Sequence, residues 1–212
     1  MKNVFVLAAA GIAALSIPYA AYADSQAAFL QANVGHTNTD ARNSTAYGVL
    51  GGYRWAVDEP FYLGVEGGYV NLDRAHFRDD STISFTDPTG PHTLTSHSRG
   101  KSTNEALLLG VNGKWELPGQ YFITAHAGLA RYRDDIRVHA SGTLDGVATE
   151  GFSDRYRYYD TSYYAGLGFG YDFNRQVSLS FNYDHYEPRY EEFGIKETVK
   201  FDTYGMGVEF RF

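Results

Sequence analysis

The chain has no cysteine, two methionines, six prolines and no excess of basic residues. Each shortage excludes something. Without cysteine, neither disulfides nor thiolate metal sites can hold the fold. With 18 Lys+Arg against 25 Asp+Glu and a net charge of −7, the overall basic balance typical of nucleic-acid binding is missing. The mean hydropathy of −0.36 excludes a bundle of membrane-crossing helices. No segment after residue 23 carries a sustained 3.6-residue apolar stripe, which argues against helices altogether.

Aromatics and glycine are abundant instead: 18 Tyr, 14 Phe and 23 Gly in 212 residues. The N-terminus has the layout of a cleaved secretory signal peptide. Lys2 precedes an uncharged run from Val4 to Ile17, then Pro18 and Ala21-Tyr22-Ala23 ahead of Asp24. The run is shorter than the ~20 residues a spanning helix needs. Residues 1–23 are therefore expected to be removed, leaving one domain, 24–212, at a charge of −8 once Lys2 is lost.

Eight segments alternate with period two over about ten residues, the length of a tilted membrane strand. They fall near 27–36, 45–55, 61–72, 104–115, 120–132, 161–173, 176–187 and 199–212. In the last, Tyr204, Met206, Val208, Phe210 and Phe212 share one face, and Gly205, Gly207, Glu209 and Arg211 the other. In the sixth, Ala165, Leu167, Phe169 and Tyr171 alternate with Gly166, Gly168 and Gly170. An apolar row on one side and glycine or charge on the other suits a barrel with lipid outside and a narrow interior. A soluble barrel would need those rows reversed. The expected fold is all-β: an eight-stranded antiparallel up-and-down transmembrane β-barrel with short periplasmic turns and long extracellular loops. The short links are 56–60, 116–119 and 174–175. The long polar stretches are 73–103, 133–160 and 188–198, with 37–44 a short external loop. Trp55, Phe61, Trp115 and Tyr121 flank the short links on the outward parity and read as an aromatic girdle. Tyr156, Tyr158, Tyr159, Tyr163 and Tyr164 crowd the other rim.

Leu63-Gly64-Val65-Glu66-Gly67-Gly68-Tyr69, the stretch Ala165 to Tyr186 and the closing Gly207-Val208-Glu209-Phe210-Arg211-Phe212 resemble the OmpA-type transmembrane domain and its Ail/OmpX relatives. The resemblance implies residence in the outer membrane of a Gram-negative bacterium, contact with outer-membrane lipid and lipopolysaccharide, and recognition of Gly207, Phe210 and Phe212 by the barrel-assembly machinery. It also implies a monomer that supports the envelope and meets host surface ligands through its loops. Because the sequence stops at Phe212, a periplasmic peptidoglycan-binding domain is not expected. The family's gating carboxylate and arginine fall at Gly170 and Ser180, so that pair is absent; Glu66 matches the family's interior glutamate.

By alternation Arg54, Glu66, Lys114, Glu209 and Arg211 point inward, beside Gln31, Asn33 and His126. Charges in a lumen too narrow for bulk water must pair, so an internal salt-bridge network that plugs the barrel is expected. Three function classes remain. One is a non-enzymatic barrel presenting surface loops, in which Phe77, Phe85, Phe152, Tyr156, Tyr190 and Phe193 would act as anchors. Another is a small-solute channel, whose conductance Glu66→Ala or Lys114→Ala would alter. The third is a lipid A acyl-chain enzyme using Ser96, His97 and Ser98, which lack an evident orienting acid. The first is adopted, with no cofactor and no metal; the scattered histidines His36, His76, His92, His97, His139 and His185 lack the close pairing of a metal site.

Overall fold

A computed structural model describes residues 26–39, 43–88, 90–192 and 195–212. The leader read over residues 1–23 lies outside them. Eight strands close a barrel: β1 (Gln26–Asn38), β2 (Asn43–Asp58), β3 (Phe61–Asp87), β4 (Gly90–Glu116), β5 (Tyr121–Leu144), β6 (Val147–Asp172), β7 (Val177–Tyr186) and β10 (Phe201–Arg211). Each pairs antiparallel with its chain neighbour, and β1 meets β10 to shut the cylinder. A short ribbon of β8 (Arg189–Glu192) and β9 (Ile195–Thr198) lies between β7 and β10.

The outward rows are the apolar ones. Val65, Leu109, Val111, Leu129, Leu167 and Phe181 are exposed, whereas Arg54, Glu66, Asn112, Lys114 and Glu209 are buried. Closure leaves no strand unpaired, which is what lets a β-structure sit in hydrocarbon. The interior has two layers. Polar side chains fill the end near the short turns, and an apolar layer of Leu50, Leu72, Leu108, Tyr132, Tyr164 and Tyr186 fills the other. Glycine makes room for both: a Cβ on Gly166 would collide with His126 and Asp184.

The stretches 73–103 and 133–160 are not loops. β3 to β6 run for 24 to 27 residues each, against the ~10 a membrane crossing requires. Pairing of β3 with β2 stops at Asn71, and pairing of β6 with β7 stops at Tyr164. The ladders among β3, β4, β5 and β6 continue to Asp87↔Gly90, Leu94↔Leu144 and Leu144↔Val147. A four-stranded sheet therefore rises from the barrel, and the 13 residues from Tyr132 to Leu144 carry it ~40 Å further at ~3.3 Å per step. Polarity suggests loops here, but the polar residues alternate with apolar ones. Arg131, Arg133, Arg137 and His139 interleave with Tyr132, Ile136 and Val138. Asp145 and Gly146, both at positive φ, form the two-residue turn that right-twisted hairpins prefer.

Candidate functional site

Two regions carry chemistry: the lumen and the raised sheet. In the lumen Arg54 donates through Nε to Asn112 Oδ1 at 2.6 Å and through Nη1 to Glu209 Oε2 at 2.7 Å. Its guanidinium also lies 3.9 Å above the Phe29 ring. Lys114 and Arg211 converge on one carboxylate, Asp172, at 2.9 and 2.6 Å. Ser178 donates to the same Asp172 oxygen as Arg211, at 2.6 Å. Nearer the external end His126 bridges Glu66 at 3.1 Å and Asp184 at 2.7 Å, and the Tyr164 hydroxyl donates to Glu66 at 2.7 Å. The five charges singled out from sequence thus divide. Arg54 with Glu209 and Lys114 with Arg211 occupy the lower layer, while Glu66 belongs to a separate cluster. Gln31 and Asn33 bond each other at 2.7 Å.

Asp172, Asp184 and Tyr164 complete these clusters, and the sequence reading does not assign them there. Asp172 stands on the same parity as Gly166, Gly168 and Gly170, so its inward direction is legible. Tyr164, expected at the external aromatic rim, is fully buried instead, stacked on Tyr186 with ring centroids 6.1 Å apart. Tyr159 and Tyr163 keep the outward parity, and Tyr156 and Tyr158 belong to the raised sheet.

Trp55, Phe61, Trp115 and Tyr121 all lie exposed at the short-turn end. Phe61 faces Trp115 across β3 and β4, and Tyr121 stacks on Phe169. At the C-terminus Phe210 and Phe212 meet edge to face at 5.0 Å, Phe212 donates its N–H to Ala28, and Gly207 lies against Asn33.

The raised sheet is two-faced. A bulge between Asn71 and Asp73 reverses the parity of β3. The face continuing from the lumen then carries Phe77, Ile83 and Phe85 from β3, Ile136 and Val138 from β5, and Phe152, Tyr156 and Tyr158 from β6. Phe77 covers Gly100, its cross-strand partner. The side chain of Tyr190 and all of Phe193, two further suggested anchors, lie outside the described residues. The opposite face, continuing from the lipid side, is basic. There Asp135 accepts from Arg137 at 3.1 Å, from Arg157 at 3.2 Å and from Arg155. Hydrogen bonding from Arg155 first, then Arg157 and Arg137, holds the Asp135 carboxyl well below the usual carboxylate range.

His97 Nδ1 lies 2.8 Å from Asp80 Oδ1, so the orienting acid missing from the sequence reading is Asp80. Ser96 and Ser98, one residue to either side, point to the other face, so the Ser-His-Ser tripeptide forms no nucleophile–base pair. The hydroxyl on the face of His97 is its cross-strand partner Ser141. Half-exposed on an open sheet, His97 lacks the water-excluded surroundings that make transition-state charge stabilisation effective. Among the described residues no group of three His, Cys, Asp or Glu is placed to hold a metal ion.

At the tip His92 bridges the two hairpins, with Nδ1 2.5 Å from Asp145 and Nε2 3.2 Å from Asp87. The hydrogen bond to Asp145 raises the His92 pKa above 6.5. A raised folded-state value means the contribution is full below the ordinary imidazole range and is lost as pH climbs through the folded value. Amide exchange at Thr93 and Asp145 should therefore accelerate as pH is taken from about 6 upward, after correction for intrinsic exchange. His92→Gln should remove that pH dependence.

The outer membrane protein β-barrel domain family model matches residues 5–212. Outer membrane protein P5 of Haemophilus influenzae is 28% identical over 165 residues, 68% of this chain and 42% of P5. The chain thus spans under half the length of that relative. Among solved structures, Ail of Yersinia pestis, the attachment invasion locus protein, aligns at 13% identity with a TM-score of 0.48, covering 90% of this chain and 100% of Ail. Neisserial surface protein A aligns at 12% identity with a TM-score of 0.42, covering 89% and 98%.

Proposed function

This chain belongs to the outer membrane protein β-barrel domain family and resides in the Gram-negative outer membrane; from that premise we propose that it is a non-enzymatic, closed barrel that supports the envelope and uses the raised sheet for contact with an external surface. The observation that carries this reading is the aromatic and aliphatic face of the sheet. Ile83, Phe85 and Phe152 are each about half exposed or more, and they stand on a hydrogen-bonded ladder beyond the apolar belt. Exposed apolar clusters mark interaction sites, and aromatics held on a rigid sheet lose little entropy on binding. The closed-barrel part is supported by the ion pairs of the lower lumen and the apolar layer above them, since eight strands enclose space for side chains rather than a channel.

Bacteria displaying the protein should bind cultured epithelial cells. Phe85→Ser with Phe152→Ser should reduce that binding about tenfold, the usual consequence of losing interface anchors. Surface expression should be unchanged. Equal binding by the double variant would overturn the contact reading. A change in lipid A acyl chains on expression, abolished by His97→Ala, would overturn the non-enzymatic one.

A further inference from the structure

The face of the raised sheet that continues from the lumen differs from its reverse in charge as well as in polarity. Its cross-strand rows, from the barrel upward, read Asp73, Asn104, Asp134 and Tyr158; then Ala75, Ser102, Ile136 and Tyr156; then Phe77, Gly100, Val138 and Asp154; then Asp79, Ser98, Ala140 and Phe152. Every charge in these rows is an aspartate. Among the described residues no lysine or arginine stands on this face between Asp73 and Phe85, whereas the reverse holds Lys101, Arg137 and Arg155 in a single row. Strand pairing does not require such a division, because above the membrane both faces meet water.

The aspartate face is also hollow at mid-height. Phe77 and Val138 form an apolar row below, and Ile83, Leu94 and Leu144 another above. Between them lie Ser98 and Ala140, then Ser81, Ser96, Gly142 and Thr149, all small side chains. Phe77 and Ile83 are six residues apart on β3, ~20 Å along the strand. Asp79 stands at one margin of the hollow, and Asp154 with Phe152 at the other, all three exposed. Hydrogen bonding from Tyr156 first, then from the Arg155 N–H, keeps the Asp154 carboxyl below its usual range, so it is ionised at neutral pH.

Building on the contact reading of this face, we propose that it docks a cationic amphipathic peptide segment of a protein displayed on the opposing surface, with lysine or arginine set between two apolar anchors. Apolar rows ~20 Å apart match the two ends of a helical segment of about 13 residues. The small residues between them leave depth for cationic side chains that reach Asp79 and Asp154. Aromatic and aliphatic rows supply the buried area, and the carboxylates supply partner choice and steering. An anionic segment would meet like charge here. A second copy presenting the same face would set aspartate against aspartate. A small polyamine would leave Ile83, Phe85 and Phe152 in water.

The test uses the full-length protein in nanodiscs of zwitterionic lipid, with empty discs as the blank. The probes are a lysine–leucine amphipathic helix of about 18 residues, the same peptide with glutamate for lysine, and the same peptide with serine for leucine. The lysine–leucine peptide should bind, and both substituted peptides should bind about tenfold more weakly or worse. Asp79→Asn with Asp154→Asn should weaken binding about fivefold, a loss that shrinks at high salt. Phe85→Ser with Phe152→Ser should weaken it about tenfold. Lys101→Gln with Arg137→Gln, on the reverse face, should not weaken it. Retained heat-modifiable migration of each variant checks folding. Equal binding of the glutamate peptide, or equal binding by the aspartate variant, would overturn the proposal. So would self-association that Phe85→Ser with Phe152→Ser abolishes, since a second copy would then occupy the face. Binding to fixed epithelial cells undiminished by saturating lysine–leucine peptide would also overturn it and leave the contact reading standing. Peptide binding without cell binding would keep the face and its partner chemistry and overturn the contact reading.

Discussion

Arg54→Ala should lower the stability of the folded barrel by about 3–5 kcal/mol, read from the urea midpoint in detergent. The magnitude follows from what remains. Glu209 is buried, its Oε2 oxygen loses the 2.7 Å bond to Nη1, and Asn112 loses the donor at Nε. A buried carboxylate left with only the Arg211 guanidinium, 3.7 Å from its other oxygen, costs more at low dielectric than the pair with Arg54 contributed. The Phe29 ring beneath the guanidinium is uncovered as well. Adding Glu209→Gln to Arg54→Ala should recover a large part of the loss, because a neutral amide is cheaper to leave unpaired. A single substitution as destabilised as the double one would show that the loss comes from packing, not from an orphaned charge.

Val111→Arg should destabilise the inserted barrel by about 2–4 kcal/mol. Val111 lies between Val65 and Ala127 in the outward row, midway between Trp115 and Leu107, and is exposed on the isolated chain. At that depth an arginine can neither reach the interface nor find a partner. Arg131 shows the contrast. It stands directly across from Leu107 and beside the Tyr159 ring, where a cation is already native. Refolding yields into lipid vesicles for arginine placed at Leu107, Leu109 and Val111 in turn should fall toward the middle of the belt. A flat profile would mean that this row does not face hydrocarbon.

The eight spanning segments are legible in the sequence because lipid outside and a crowded polar interior force strict alternation, most clearly in β10 and β6. The strand extensions are not, because above the membrane both faces meet water and composition alone resembles loop. Their period of two persists, in Arg155-Tyr156-Arg157-Tyr158, and the Asp145-Gly146 pair marks the turn. The inward direction of Arg54, Glu66, Lys114, Glu209 and Arg211 can be read from parity. Their pairing cannot, since it depends on the stagger between strands. Asp172 and Asp184 become partners only when β6 and β7 are set against β4 and β5. The bulge at Asn71 and Asp73, which hands Arg74 and Arg78 to the outer face, leaves no mark in the sequence.

The cylinder has no free margins, but the raised sheet reintroduces two. Among the described residues, β3 beyond Asn71 and β6 ahead of Tyr164 carry a ladder partner on one side only. Bare strand margins invite neighbouring molecules to zip together. Arg74 and Arg78 line one margin, Arg155 and Arg157 the other, so two copies brought side by side would meet arginine against arginine. Like charge along both margins would thereby oppose the zipping of neighbouring copies into one continuous sheet.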